Sequence, residues 1–172
     1  MKLNIACGKQ TWNGYFCVDA VAHPKATRPP DLLHAFTFDK DGALLNPLPL
    51  PDNCADELCN FHFIEHVYAW EAPAIVSEFR RLLKPGGRLV MELPDINKAA
   101  NNLLHGGKDQ LCMWPLYGDP GTKDPYMCHR WGYTPKTIKQ LLEQGGFIKV
   151  HILPPKTHGA RGNRDMRVEA VR

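Results

Sequence analysis

Between residues 72 and 84, apolar side chains recur at Ile75, Phe79, Leu82 and Leu83, the i, i+4, i+7, i+8 spacing of one helix face. Pro73 suits the first turn of that helix and Pro85 bars its continuation. The period then changes: Leu89, Val90, Met91 and Leu93 form a nearly unbroken apolar run, the mark of a buried strand, with Gly86-Gly87 able to take the positive φ of a reversal. Ahead of the helix, Glu57 to Phe63 reads as another strand, entered through the turn Leu48-Pro49-Leu50-Pro51-Asp52-Asn53. Strand, helix and strand in that order predict a parallel pair with a right-handed crossover. Leu3 to Gly8 and Tyr15 to Asp19 predict two more strands; Lys9 to Gly14 between them is short for a parallel crossover, and one helical turn is expected there.

The carboxyl half alternates in the same way. Residues 95–104 predict a helix capped by Asp95, with Ile96, Ala99, Ala100, Leu103 and Leu104 facing inward and Gly106-Gly107 as its stop. Thr134-Pro135 opens a helix through Leu141 and Leu142 that closes at Gly145-Gly146. Phe147 to Leu153 and Met166 to Val171 read as strands, and the link from Pro154 to Arg164 leaves no room for a crossover helix, so they pair antiparallel. The predicted fold is α/β: a three-layer, doubly wound, mostly parallel sheet with an antiparallel strand near the carboxyl end. Lys108 to Tyr133 interleaves Trp114, Tyr117, Tyr126 and Trp131 with Asp119, Asp124 and His129. Residues 106–133 therefore read as a substrate-covering insertion in a single domain, 1–172.

A chain of 172 residues can bury roughly 70% of its unfolded surface, enough for a core without disulfides. The six cysteines, at 7, 17, 54, 59, 112 and 128, form no C-x-x-C, no secretory leader precedes the first strand and no apolar run reaches membrane length. The expectation is a cytoplasmic protein with reduced thiols. A net charge of +3 is too mild to indicate nucleic acid, and Arg161, Arg164, Arg167 and Arg172 read as a solvated face.

Chemistry enters at strand ends. Gly8 closes the first strand and Asp19 the second; a glycine there lets a ligand approach backbone, and an acid can accept hydrogen bonds from two ribose hydroxyls. There is no G-x-G-x-x-G, and the acid follows after eleven residues rather than about twenty, which disfavours a nicotinamide cofactor. A competing pattern is His62-Phe63-Ile64-Glu65-His66, an H-x-x-E-H in which two histidines on one helix face hold zinc and the glutamate is the base. It needs a helix through all five residues, whereas Leu58 to Phe63 is β-rich. The expectation is no metal, with His62 in a strand and His66 capping or orienting the next helix; a zinc hydrolase stays as the alternative.

Asn4 to Gly8, Val18-Asp19, Leu48 to Asp56, Ile64-Glu65-His66 and Leu83-Lys84-Pro85-Gly86-Gly87 occur in the order and spacing N-x-G-C-G, V-D, L-P-F-P-D-N-S-F-D, L-E-H, L-K-P-G-G. On these motifs the chain resembles the class I S-adenosylmethionine-dependent methyltransferases, well over residues 1 to about 95 and more faintly through His129 to Pro135, Gly145-Gly146-Phe147 and Asp165 to Ala170. The resemblance implies a Rossmann-like sheet, S-adenosyl-L-methionine as cofactor, and a cofactor site built from Ala6, Cys7, Gly8, Asp19, His34, Ala35, Leu50, Asn60 and Phe61. Ala6 stands in the place of a family glycine, so the turn is expected at Gly8; Ala35 stands where an acid often follows the third strand. The resemblance is compatible with small metabolites, glycans and macromolecules as methyl acceptors, and an oxygen or nitrogen of a small molecule or glycan is the expectation; His129, an imidazole able to accept a proton near neutrality just before the Thr134 cap, and His66 are the candidate catalytic residues. A relative that binds the cofactor without catalysis is a further alternative.

Overall fold

The computed structural model describes residues 1–157 and 161–172. Seven strands form one sheet: β1 (Lys2–Ile5), β2 (Phe16–Asp19), β3 (Leu32–Leu33), β4 (Ala55–Phe61), β5 (Leu83–Pro94), β6 (Ile148–Leu153) and β7 (Asp165–Val171). Their order is β3-β2-β1-β4-β5-β7-β6, with the first five parallel and β7 antiparallel to both β5 and β6. The helices are α1 (Ala72–Leu82), α2 (Ile96–Leu104), α3 (Met113–Tyr117) and α4 (Pro135–Gln144).

Strand alternation gives the sheet two unlike faces. Leu3, Ile5, Leu58, Leu89, Met91, Val168 and Ala170 pack with Ile75 and Phe79 of α1 and Ile138 and Leu142 of α4 into the main core. On the opposite face Cys59, Phe61 and Val90 are covered by Trp12 and Tyr15 of the β1–β2 connection. That connection is two tight turns, without the expected helical turn. The doubly wound order is kept, but the second covering layer here is a loop. Because it is thin, this face is otherwise polar: Arg167 bonds Glu92 (2.9 Å) and Glu169 (2.7 Å), Arg88 lies 3.6 Å from Glu169 and also pairs with Glu57, and Tyr15 bonds Glu57. Arg164 pairs with Asp165 (2.7 Å) and Arg172 bonds Asn53. Three of the four clustered arginines are thus tied into the sheet; the Arg161 side chain lies outside the described residues.

Other boundaries moved for local reasons. Helix α1 ends at Leu82, and Pro85-Gly86-Gly87 lies inside β5 as a bulge between its pairings at Leu83 and Arg88. Gly86 has φ +78°, while a Cβ at Gly87 would meet the Lys84 carbonyl at 2.9 Å. Strand β4 stops at Phe61, because His62 takes φ +53°. Asp95 caps α2 as expected, accepting from the Asn97 N–H at 3.0 Å, but only Ala99 of its apolar side is buried, and Leu104 is 82% exposed. The helix packs against α3 and the Asp109–Leu111 turn. Residues 106–133 form α3 and three short 3₁₀ turns, at Asp109–Leu111, Pro120–Thr122 and Pro125–Met127. The Thr134 cap of α4 is a reciprocal box with Thr137.

Candidate functional site

At the carboxyl end of β1 the chain turns twice, at Ala6 (φ +55°) and Gly8 (φ +53°). The turn expected at Gly8 alone is shared, and an alanine in the left-handed region costs about 1–2 kcal/mol. Nothing lies within 4 Å of the place a Gly8 Cβ would occupy, so the backbone there faces open space. The Gly8 N–H donates to Asp19 Oδ2 at 2.6 Å, the Val21 N–H to Asp19 Oδ1 at 3.2 Å, and the His34 N–H to the Asp19 carbonyl at 2.8 Å. The ends of β1 and β2 are thereby locked together, with acceptor capacity left on both carboxylate oxygens.

The other residues assigned to the cofactor divide by environment. Burial first, and the Asp19 charge second, push the Cys7 thiol up to about 12, which keeps it protonated and unreactive. His34 Nε2 lies 2.9 Å from the Asn46 carbonyl, and Asn46 Nδ2 donates to the Ala35 carbonyl at 2.6 Å, so one asparagine pins both. Asn60 is buried; its Nδ2 donates to the Ile5 carbonyl at 3.4 Å and its Oδ1 has no partner among the described residues. Phe61 packs in the cluster on the other face, its ring 5.3 Å from that of Trp12.

Leu50 is half-buried on a loop held by a residue the sequence reading did not single out. The Arg81 guanidinium donates to the carbonyls of Leu48 (3.0 Å) and Leu50 (2.8 Å), to Asp52 Oδ1 (2.6 Å) and to both oxygens of buried Glu78, which also accepts from the Leu48 N–H at 2.8 Å. Their i, i+3 spacing on α1 was visible; their grip on a distant loop was not. Arg81→Ala leaves the Glu78 carboxylate buried without its counter-ion, and urea unfolding is expected to show a loss of about 2–3 kcal/mol, below the full cost of breaking a buried pair because Arg81 is partly solvated.

The second group forms after β4. Residues Ile64–His66 make a single 3₁₀ turn, so the five-residue helix that H-x-x-E-H requires does not exist and His66 does not cap α1. His62 Nδ1 lies 2.9 Å from Glu65 Oε1 and Nε2 lies 3.4 Å from Asp165 Oδ2. Burial would lower the His62 pKa, but hydrogen bonds to Asp165 and Glu65 outweigh it and lift it to about 9. Burial likewise works to raise Glu65 and Asp165, yet His62, with Arg164 at Asp165, holds both below the carboxylate range, Asp165 at about 2.

The turn instead brings Glu65 and His66 to His129 from the 106–133 segment. The two imidazoles meet edge to face with centroids 4.9 Å apart. Each is anchored through Nδ1: His66 to the Cys128 carbonyl (3.2 Å), His129 to the Pro115 carbonyl (2.9 Å). The N–H groups of Arg130 and Trp131 donate to the Glu65 carbonyl at 2.7 and 3.2 Å, which docks the segment on the turn. Burial holds His129 below its ordinary pKa, keeping it neutral. Both candidate catalytic histidines are therefore together, with buried Glu65, which the sequence offered only as the base of the zinc alternative, and buried Tyr133, which it did not offer as a site residue and whose phenol burial and the Glu65 charge push up.

A family model described as a methyltransferase domain matches residues 19–91. A curated relative from Mycolicibacterium smegmatis, named a probable S-adenosylmethionine-dependent methyltransferase, is 38% identical over 76 residues, 44% of this chain and 26% of its own length. The chain thus spans about a quarter of the length of that relative. A methyltransferase of the same cofactor class from Archaeoglobus fulgidus superposes with TM-score 0.63 at 16% identity, covering 99% of this chain and 85% of that one. The 1,6-didemethyltoxoflavin-N1-methyltransferase of Burkholderia thailandensis, solved with S-adenosylhomocysteine, superposes with TM-score 0.57 at 12% identity over 99% and 70%. The fold is the one seen in these solved S-adenosylmethionine-dependent methyltransferases, and here the antiparallel β7 lies beside β5.

Proposed function

We propose that this chain transfers the sulfonium methyl group of S-adenosyl-L-methionine to an oxygen or nitrogen of a small-molecule or glycan acceptor. The observation that carries this reading is the Gly8–Asp19 lock at the carboxyl ends of β1 and β2. The open space in front of Gly8 fits close approach of a ligand, and the spare lone pairs of Asp19 fit a ribose diol. Orphaned Asn60 Oδ1 is a further acceptor beside the same strand ends. His34, Ala35 and Leu50 complete the assigned cleft, with Cys7 as its wall. The bound cofactor supplies an activated methyl; the chain's own task is to align the acceptor and receive its proton.

For the acceptor, the proposed cover is residues 106–133. It holds a cleft of about 560 Å³ lined by Met113, Trp114, Tyr117, Met127 and Cys128, next to His129, whose N–H donates to the Tyr117 carbonyl at 3.2 Å. His129 is the proposed proton acceptor, with His66 beside it. No described helix is long and apolar enough to cross a membrane, and a cytoplasmic location is proposed from the thiols. The His62 contacts to Glu65 and Asp165 argue against the H-x-x-E-H zinc hydrolase.

Adding S-adenosylhomocysteine at about a hundred times its Kd is expected to stabilise the native chain by about 2.7 kcal/mol, a rise in Tm of about 5–10 °C. An unchanged Tm at millimolar ligand would overturn the cofactor assignment. A rise without turnover on any acceptor pool would favour a non-catalytic relative.

A further inference from the structure

We propose that Glu65, His66 and His129 bind one first-row divalent cation, and that its open positions take an oxygen of the acceptor; this second half rests on the methyltransferase reading. One ligand atom from each of the three residues lies within 4.8 Å of the others. Donors about 2.1 Å from a common ion stand at most ~4.2 Å apart, so closure needs a shift of about half an ångström or more, within reach of side-chain rotation.

Three features prepare these residues as ligands. First, a carbonyl oxygen can only accept, so the Nδ1 contacts of His66 and His129 to Cys128 and Pro115 put the proton on Nδ1 in both rings and the lone pair on Nε2. This is the outer-shell arrangement that orients metal-binding imidazoles. Second, Glu65 is 1% exposed and its Oε2 has no partner among the described residues. An orphaned buried carboxylate oxygen is costly, and an ion shared with the two imidazoles would satisfy it. Third, Oε1 of the same carboxylate is held by His62, which Asp165 supports in turn, so the ligand oxygen is fixed from behind.

Two imidazoles and one carboxylate suit zinc, manganese, iron or cobalt better than magnesium or calcium, and three protein ligands leave positions for substrate. A hydroxyl bound there loses its proton more readily. Its oxygen forms the new bond to the methyl carbon as the carbon–sulfur bond breaks, the electron pair passes to sulfur, and the proton leaves to solvent.

The test is cobalt(II) titration of the full chain after stripping with EDTA. One cobalt per chain by equilibrium dialysis, with visible d–d absorption, is expected; His66→Gln, His129→Gln and Glu65→Gln should each weaken binding at least tenfold. Melting in EDTA shows whether each variant is folded; should Glu65→Gln fail, the half-buried His66 and His129 positions still decide. No stoichiometric cobalt, or binding unmoved by both histidine variants, would overturn the site. The S-adenosylhomocysteine shift measured in EDTA stands apart: its survival while cobalt fails to bind refutes the cation and leaves the methyltransferase reading intact.

Discussion

Asp19→Ala is expected to weaken S-adenosylhomocysteine binding by about 10²–10³-fold and to erase the thermal shift at moderate ligand concentrations. A carboxylate accepting two ribose hydroxyls makes two charge-assisted hydrogen bonds, each worth ~1.5–3 kcal/mol, and 1.4 kcal/mol is tenfold in Kd. The effect has a second component, because Asp19 Oδ2 also holds the Gly8 N–H at 2.6 Å; without it the loop that faces the ligand loses its anchor. Asp19→Asn separates the two. It keeps an oxygen for Gly8 but removes the charge, so its affinity should fall between wild type and alanine. Calorimetric titration with the three proteins checks the order, and an alanine variant that binds as wild type would remove Asp19 from the site.

The second large effect is on turnover. With an acceptor in hand, His129→Ala is expected to lower kcat by at least ~100-fold, the usual lower bound for a group that handles the reacting proton, while affinity for S-adenosylhomocysteine hardly moves. The residue is well placed for this: its ring meets His66, burial keeps it neutral, and the Pro115 carbonyl fixes its tautomer. Whether Nε2 takes the proton directly or holds a cation that acidifies the acceptor, removal of the ring removes the function, and the cobalt titration tells the two apart. Turnover near wild type would place the acceptor chemistry elsewhere. Loss of cofactor affinity together with turnover would make His129 a structural clasp of the 106–133 segment.

Much of this was legible along the chain because it depends on short-range pattern. Pro73, the Ile75-Phe79-Leu82 stripe and Pro85 mark α1 within two residues of its observed end, and the Leu89–Leu93 run marks β5. The short link Pro154 to Arg164 allowed only an antiparallel partner, which is what β6 and β7 form. Gly8 and Asp19 were readable as a pair since both sit where parallel strands end, and strand ends gather at one edge of the sheet.

What the sequence alone could not reach were the features settled by distance or by competition. Ala6 adopts a left-handed conformation its side chain disfavours, in the same turn whose Gly8 N–H is held by Asp19. His62 leaves the strand its neighbours favour because Glu65 and Asp165 offer it charge on both sides, and Asp165 is far away in the chain. The second helical layer is absent at β1–β2 because ten residues suffice for Trp12 and Tyr15 to cover Phe61 and Val90. Local pattern and strand order determined the fold class and the placing of Gly8 and Asp19 at one end of the sheet. The meeting of Glu65 and His66 with His129, and the grip of Arg81 on the Leu48–Asp52 loop, were decided only by the tertiary structure, since the partners come from separate segments: the first docks through backbone hydrogen bonds that carry no side-chain signature, and the second through a guanidinium whose acceptors include two distant carbonyls.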